Sequence, residues 1–491
     1  MTKAIVLRVA LFCGVGALCG FLAGTASGET NHAEAGRPTV SGLMLSDIHF
    51  DPFHDPGKTE RLVSAPVGEW GKILAEPASA GQEAAFAALQ QRCAARGVDT
   101  PYALLQSSLR AARREAPNAA FITVSGDLIA HGFTCRFAAV VPGKTQDDYA
   151  AFVEKTVEYV TGELRRTLPG VPVYLALGNN DSDCGDNRLD GGSGFLAAVG
   201  KSVVAGLPRS LTQVDRKKIL ADFTAGGYYS VMMAAPMRNT RLIVLDDLFM
   251  LTQYAACGGK RDTAAGSAQT AWLRKELDEA RQRKERVWVM GHIPPGVDIY
   301  STFAKMRNIC AGDVPAMFLS SDGLGNVLTE NADVVRLGIF AHTHMDELRL
   351  LSPEDSAKGG MVAIKLVSSI SPVNGNEPSF TVGRVDTASA TMKDYEVFEA
   401  SSQTGNATWS KEYDYGKAYH AAAFSPVAVE KLTGEFRDDP DAKAEASRAY
   451  IKDFFVGDNS SLIKPLWPQY VCSLTHYTAK GFAGCMCSAE R

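Results

Sequence analysis

An apolar run, Val40-Ser41-Gly42-Leu43-Met44-Leu45, ending in Ser46-Asp47-Ile48-His49, constrains this chain more than any other stretch. A strand built on that run brings a carboxylate and an imidazole to one point at the sheet edge, because residues two apart project the same way until the strand breaks. The pattern returns downstream. Further apolar segments end in Gly126-Asp127, Gly178-Asn179-Asn180-Asp181, Gly291-His292 and Ala341-His342-Thr343-His344. Strands that each finish on a metal-capable residue call for a fold in which strand ends converge, and in α/β proteins sites form in the loops at the carboxyl ends of the sheet strands.

The intervening spacing predicts crossover helices. Helical periodicity over 82–96 and 101–114 feeds a strand over 119–125, and a long helix over 146–166 returns the chain to a strand over 171–177. Strand, helix, strand is the signature of an α/β sheet. The glycine- and aspartate-rich stretch 182–209 reads as a surface excursion near the site. Residues 227–233 and 240–245 read as an antiparallel pair, and a helix over 269–282 leads to a strand over 286–290. A strand over 334–340 and three more between 361 and 398 follow, the latter broken by Ser371-Pro372-Val373-Asn374-Gly375-Asn376. Beyond residue 400 the pattern turns helical and cysteine-bearing. The expected organisation is a signal peptide over 1–28, a catalytic domain over 38–400 and a helical C-terminal region over 401–491.

The signal peptide follows from Lys3 and Arg8 ahead of an apolar run over 9–22 and small residues over 23–28. The run is shorter than the ~20 residues that span a bilayer, so no transmembrane segment is expected after cleavage, and the protein should be secreted or periplasmic. Cys93, Cys135, Cys184, Cys257, Cys310, Cys472, Cys485 and Cys487 then remain, an even number that predicts disulfides in an exported chain. Loss of Lys3 and Arg8 takes the formal net charge from −5 to −7, which argues against a protein that tracks along nucleic acid. Asn406-Ala407-Thr408 and Asn459-Ser460-Ser461 fit the glycosylation sequon, meaningful only in a eukaryotic host.

The strand-end set contains Asp, His and Asn and no cysteine, a donor set suited to zinc, manganese or iron. It holds more ligands than one tetrahedral ion uses. Two divalent ions bridged by one carboxylate fit that count, and such a pair clamps the attacking and leaving oxygens of a phosphoryl transfer.

In their order, Asp-x-His, Gly-Asp, Gly-Asn-x-Asp, Gly-His and His-x-His resemble the metallophosphoesterase (calcineurin-like) superfamily. Asp47-Ile48-His49 with Asp51, Gly126-Asp127 with His131, Trp288-Val289-Met290-Gly291-His292-Ile293-Pro294-Pro295-Gly296 and His342-Thr343-His344-Met345-Asp346 look most like its acid sphingomyelinase and endopolyphosphatase branch, and the similarity spans about residues 40–400. The resemblance implies an α/β sandwich of two sheets built from βαβ units and flanked by helices. It also implies a first metal held by Asp47, His49, Asp127 and His344, and a second by Asp127, Asn179, His292 and His342. Zinc is the first choice of ion, with manganese or iron as alternatives. Hydrolysis by a metal-bridging hydroxide is implied, on a small-molecule or lipid phosphodiester of the sphingomyelin or nucleotide type. The alternative substrate is a phosphoanhydride of polyphosphate or of a nucleotide polyphosphate, and the non-enzymatic alternative is a catalytically silent metal-binding protein.

Departures from the pattern sharpen these expectations. The superfamily usually has His after the Asn of Gly-Asn, where this chain has Asn180, an amide that does not donate a proton at a useful pKa. Asn180 is therefore expected to orient phosphate, while His131, which matches a second histidine of the sphingomyelinase pattern, protonates the leaving oxygen. Ala130 stands where purple acid phosphatases, by resemblance, place a tyrosine ligand, so no tyrosinate–iron chromophore is expected. Ala341 replaces a usual glycine. Asp47 falls close to the expected mature N-terminus, leaving no room for a saposin module before it. His32, His54, His420 and His476 sit in no such context and are expected to be structural or surface residues.

Overall fold

The computed structural model describes residues 38–457 and 463–488. The expected signal peptide, His32 and the sequon at Asn459 lie outside them. The apolar run forms β1 (Thr39–Leu45), followed by β2 (Phe121–Ser125), β3 (Val173–Ala176), β4 (Tyr229–Met232), β5 (Thr240–Val244), β6 (Arg286–Met290), β7 (Val335–Phe340), β8 (Glu347–Leu351), β9 (Val362–Leu366), β10 (Ser379–Asp386), β11 (Thr391–Ala400) and β12 (Trp409–Asp414). They make two mixed sheets, one ordered β12-β11-β10-β1-β2-β3 and the other β4-β5-β6-β7-β9-β8. Within each, a parallel core, β1-β2-β3 and β5-β6-β7-β9, is flanked by antiparallel strands. The two-sheet α/β expectation holds.

The sheets meet through apolar strand faces. Phe121 of β2 stands edge-on to Trp288 of β6, with ring centroids 5.6 Å apart, and Trp288 satisfies its buried Nε1 by donating to the Ala390 carbonyl at 2.8 Å. Such a pair adds ~0.5–1.5 kcal/mol beyond the area it buries. Helices cover the outer faces. The helix Gln146–Thr167 starts at a capping box between Thr145 and Asp148, and its Tyr149, Phe152, Val153, Val157, Val160 and Leu164 recur at helical spacing and are buried.

Four local expectations change. The excursion over 182–209 contains a helix, Gly194–Gly206, capped by Ser193 and burying Phe195, Leu196, Val199 and Val203; the small residues around it masked that stripe. The helix over 269–282 begins earlier, at Ala264. β8 is an additional strand, hidden because Glu347 and Arg349 are buried as a mutual ion pair at 3.3 Å rather than replaced by apolar residues. β12 extends the first sheet past residue 400 by pairing with β11. The eight cysteines among the described residues all pair, as Cys93–Cys135, Cys184–Cys257, Cys310–Cys487 and Cys472–Cys485. No helix among the described residues is long and apolar enough to cross a membrane.

Candidate metal centre

β1 stops at Leu45, so Asp47 and His49 lie beyond the pleat that was expected to align them. They converge for another reason: both sit in the left-handed backbone region, with φ of 44° and 43°, and Asp127, His342 and His344 do the same at 55°, 73° and 68°. Each such non-glycine residue costs on the order of 1–3 kcal/mol and persists only where its surroundings over-determine it. Here backbone bonds do so: Asp47 N–H donates to the Gly126 carbonyl at 3.1 Å, His49 N–H to Asp127 at 2.9 Å and Ser371 N–H to Asp47 at 3.0 Å. Left-handed turns, not strand alternation, aim these side chains.

From β1, β2, β3, β6 and β7, all seven expected ligands reach one buried region between the two sheets. Ligand atoms of Asp47, Asp127 and His292 lie within 4.8 Å of one another, as do those of His49, His131 and His344. The two groups touch, for His49 Nε2 is 3.4 Å from Asp127 Oδ2 and His344 Nε2 is 3.5 Å from Asp47 Oδ1. Asn179 Oδ1 is 3.1 Å from His292 Nε2. His342 stands edge-on to the His292 ring, centroids 5.2 Å apart.

These residues fit a divalent cation pair. Both carboxylate oxygens of Asp47 are buried with no hydrogen-bond partner, and an unpaired buried polar atom is costly. Nε2 of His49 faces Nε2 of His344 at 3.2 Å, an arrangement of two lone pairs unless a proton or a cation lies between them. His49 Nδ1 donates to the Ile129 carbonyl at 3.0 Å and His292 Nδ1 to the Ser125 carbonyl at 2.7 Å, which fixes the orientation that turns each Nε2 inward.

The electrostatics follow from burial among like groups. Burial pushes Asp47 up to about 7, against the pull of His292. Burial lowers His49 to about 4 and His342 to about 3, so both are neutral imidazoles. For His292 burial is outweighed by Asp127, 3.2 Å away, and the imidazole rises to about 10 while Asp127 falls well below the usual carboxylate range. His292 and Asp127 thus form the oppositely charged pair in the buried part of the cluster.

His131 joins the group by stacking on His49, centroids 3.9 Å apart. Its side chain is about one-third exposed, at 32%, whereas those of His49 and His292 are fully buried. Asn180 sits on Asp127 rather than in open space, its Nδ2 donating to Oδ2 at 2.7 Å and its backbone N–H to Oδ1 at 2.9 Å. His54 leans on Phe86, His476 hydrogen-bonds the Cys472 carbonyl and His420 is exposed, so none of the three belongs to the cluster.

Three carboxylates support the cluster; Asp181 belongs to the Gly-Asn-x-Asp motif, whereas Asp99 and Asp247 escaped the sequence reading. Asp99 accepts from His131 Nδ1 at 2.9 Å and from its backbone N–H at 3.0 Å, and with Asp51 it holds the buried Arg136 guanidinium. Asp181 accepts from Gly178, Leu128 and Ile129 N–H, tying the ends of β2 and β3 together. Asp247 accepts from His292 and Ile293 N–H. Asp246-Asp247 directly follows the β5 run, so the strand-end signal was present there; Asp99 lies in a loop with no motif around it.

The fold, two mixed sheets with parallel cores and a histidine–aspartate cluster at the carboxyl strand ends, is that of a metal-dependent phosphoesterase. The family model for calcineurin-like phosphoesterases matches residues 43–346, and the chain belongs to that family. It is a hydrolase acting on phosphoesters, and the family implies divalent metal ions. The chain is 26% identical over 459 residues to the human acid sphingomyelinase-like phosphodiesterase 3b, covering 89% of this chain and 83% of that one. It is 22% identical over 432 residues to the bovine cyclic GMP-AMP phosphodiesterase SMPDL3A, covering 85% and 84%. Among solved structures, a dimetal phosphatase from Danio rerio overlaps 79% of this chain and 99% of its own at 13% identity and a TM-score of 0.38.

Proposed function

We propose that this protein is a secreted or periplasmic phosphodiesterase with two divalent ions, zinc by preference, whose substrate is a small-molecule or lipid phosphodiester. One observation carries the reading: from five strand ends in both sheets, Asp47, His49, Asp127, His292 and His344 meet in one buried cluster, with Asn179 and His342 beside His292, and both carboxylate oxygens of Asp47 in it are unpartnered. The phosphodiesterase names of the relatives support the substrate class, and the four disulfides support an oxidising compartment. Residues 38–400 supply the catalytic unit.

Asp47, His49, Asp127 and His344 would hold the first ion, and Asp127, Asn179, His292 and His342 the second. Bound there, the ions supply Lewis-acid neutralisation of phosphate charge and an activated water. The chain's own residues do the rest. Asn180 clamps the Asp127 carboxylate through two hydrogen bonds, fixing the group shared by both sites. Asp99 takes the Nδ1–H of His131, which leaves Nε2 to deliver a proton to the leaving oxygen. Burial works against the His131 imidazolium, but the Asp99 carboxylate outweighs it and the pKa is raised, so the protonated form an acid needs is favoured.

The test is product release by metal-loaded protein from bis(p-nitrophenyl) phosphate, sphingomyelin in detergent and long-chain polyphosphate in parallel, with Asp127→Asn as control. Diester hydrolysis that falls to background in the control is the expected result. Cleavage of polyphosphate alone would replace the diester by a phosphoanhydride, and silence on all three with metal bound would leave a binding protein.

A further inference from the structure

A cleft of about 390 Å³ opens beside the cluster, with His342 and Asn187 among its lining residues. The Asn187 N–H donates to the Asn179 carbonyl at 2.7 Å, so the cleft lies on the Asn179–His292–His342 side, whereas His131 stands with His49 and His344. Arg261, Lys305 and Arg307 also line it, against one carboxylate, Asp298. Asp298 is already engaged, accepting the Ser301 N–H at 2.8 Å as a helix cap. Arg261 is steadied by donating to the Thr252 carbonyl at 2.9 Å, and Arg307 by donating to that of Val314. Among the described residues none of the three cations forms an ion pair with a carboxylate. Three uncompensated cations around one cleft are unexpected in a chain whose formal net charge is −5.

We infer that this cleft is an anion subsite in which Arg261, Lys305 and Arg307 select substrates carrying a second phosphate on the unit retained after cleavage. The inference rests on the phosphodiesterase reading above and deepens it. A guanidinium or ammonium donating to phosphate makes charge-assisted hydrogen bonds, and Arg can do so through two parallel N–H groups. A choline headgroup, being a cation, is repelled by the same three side chains. The cleft thus favours a phosphorylated nucleotide-type substrate over a phosphocholine ester.

Two p-nitrophenyl diesters that differ by one phosphate decide the matter: the p-nitrophenyl ester of thymidine 5′-phosphate, with and without a 3′-phosphate. The wild type should turn over the 3′-phosphorylated compound with a kcat/KM roughly 10- to 100-fold higher, the factor a single charged hydrogen bond is worth, and the preference should shrink with added salt. In Lys305→Glu/Arg307→Glu the ratio should fall to about one or below, while p-nitrophenyl phosphocholine improves relative to both. As a reading independent of turnover, thymidine 3′,5′-bisphosphate titrated into the protein with EDTA present should bind at least about tenfold more weakly to the double variant. Equal kcat/KM for the two diesters, or a preference and a binding constant that survive charge reversal, would overturn the subsite. Absence of all turnover with EDTA-insensitive binding of the bisphosphate intact would instead remove the phosphodiesterase reading and leave the anion site standing.

Discussion

His131 depends on a residue far from it in sequence. On the proposed mechanism, His131→Ala should cost about 10²–10⁴ in kcat on a substrate with a poor leaving group and much less with p-nitrophenolate, which departs without a proton. Full turnover of the poor leaving group by that variant would rule out the acid role. Asp99→Asn keeps the ring but removes the charge that raises its pKa. Since the acid works protonated, activity is lost as pH rises through the His131 pKa, and Asp99→Asn should move that alkaline limb to lower pH. A merely structural Asp99 would lower activity evenly across the profile. That the seven proposed ligands and His131 gather in one region was legible from residue type and from motif context. Asp99 was not, because an aspartate that holds distant side chains carries no spacing of its own, and Asp247, which accepts the backbone N–H groups of His292 and Ile293, was visible only as an acid after a strand.

At the scale of elements, the strand ends must approach one another more closely than side chains usually allow. A Cβ on Gly178, after β3, would lie 2.1 Å from Asp127 Oδ1 and 2.4 Å from the Asp127 backbone nitrogen. Gly178→Ala must therefore push the end of β3 away from Asp127, at a cost of about 1–3 kcal/mol. Calorimetric titration should find weaker metal binding than in the wild type. On the far edge of the same sheet, β12 carries Glu412. Burial, aided by Glu399 and Asp453 and opposed by Lys452, raises its carboxyl to about 9, and Oε2 is buried without a partner. An acid whose folded-state pKa is raised binds its proton more tightly when folded. Stability is thus greatest below the unfolded value near 4.5 and falls as pH rises toward about 9. Glu412→Gln should flatten that decline and stabilise the protein at pH 8 by about 1–3 kcal/mol, read from denaturant midpoints across the window. Long strands and periodic helices were visible in the sequence. β8 and β12 were not, because both carry charged residues, Glu347 and Arg349 in β8 and Lys411, Glu412 and Asp414 in β12, where apolar alternation would mark a strand.

Across the whole molecule, the C-terminal region is fastened to the sheet that carries His292, His342 and His344. Tyr470 donates to Glu347 of β8 at 2.9 Å, Asp346 N–H donates to the Phe454 carbonyl at 2.9 Å and Tyr477 donates to Asn326 at 2.9 Å. Cys310–Cys487 closes a loop of sequence separation 177 from the segment beside the cationic cleft to the last described helix. Cys310→Ser/Cys487→Ser should lower stability by about 2–4 kcal/mol, measured without reductant, and reductant should then lower the melting temperature of the variant by less than that of the wild type. The α/β class, the strand ends that carry the candidate ligands and the hard-to-borderline donor set were readable without a structure, because strand pattern and side-chain chemistry are local properties. The cysteine pairing, the left-handed turns that aim the candidate ligands, the carboxylate behind His131 and the gathering of Arg261, Lys305 and Arg307 around one cleft emerged only in the folded chain. Those depend on which distant segments the chain path brings together, and no local spacing encodes that.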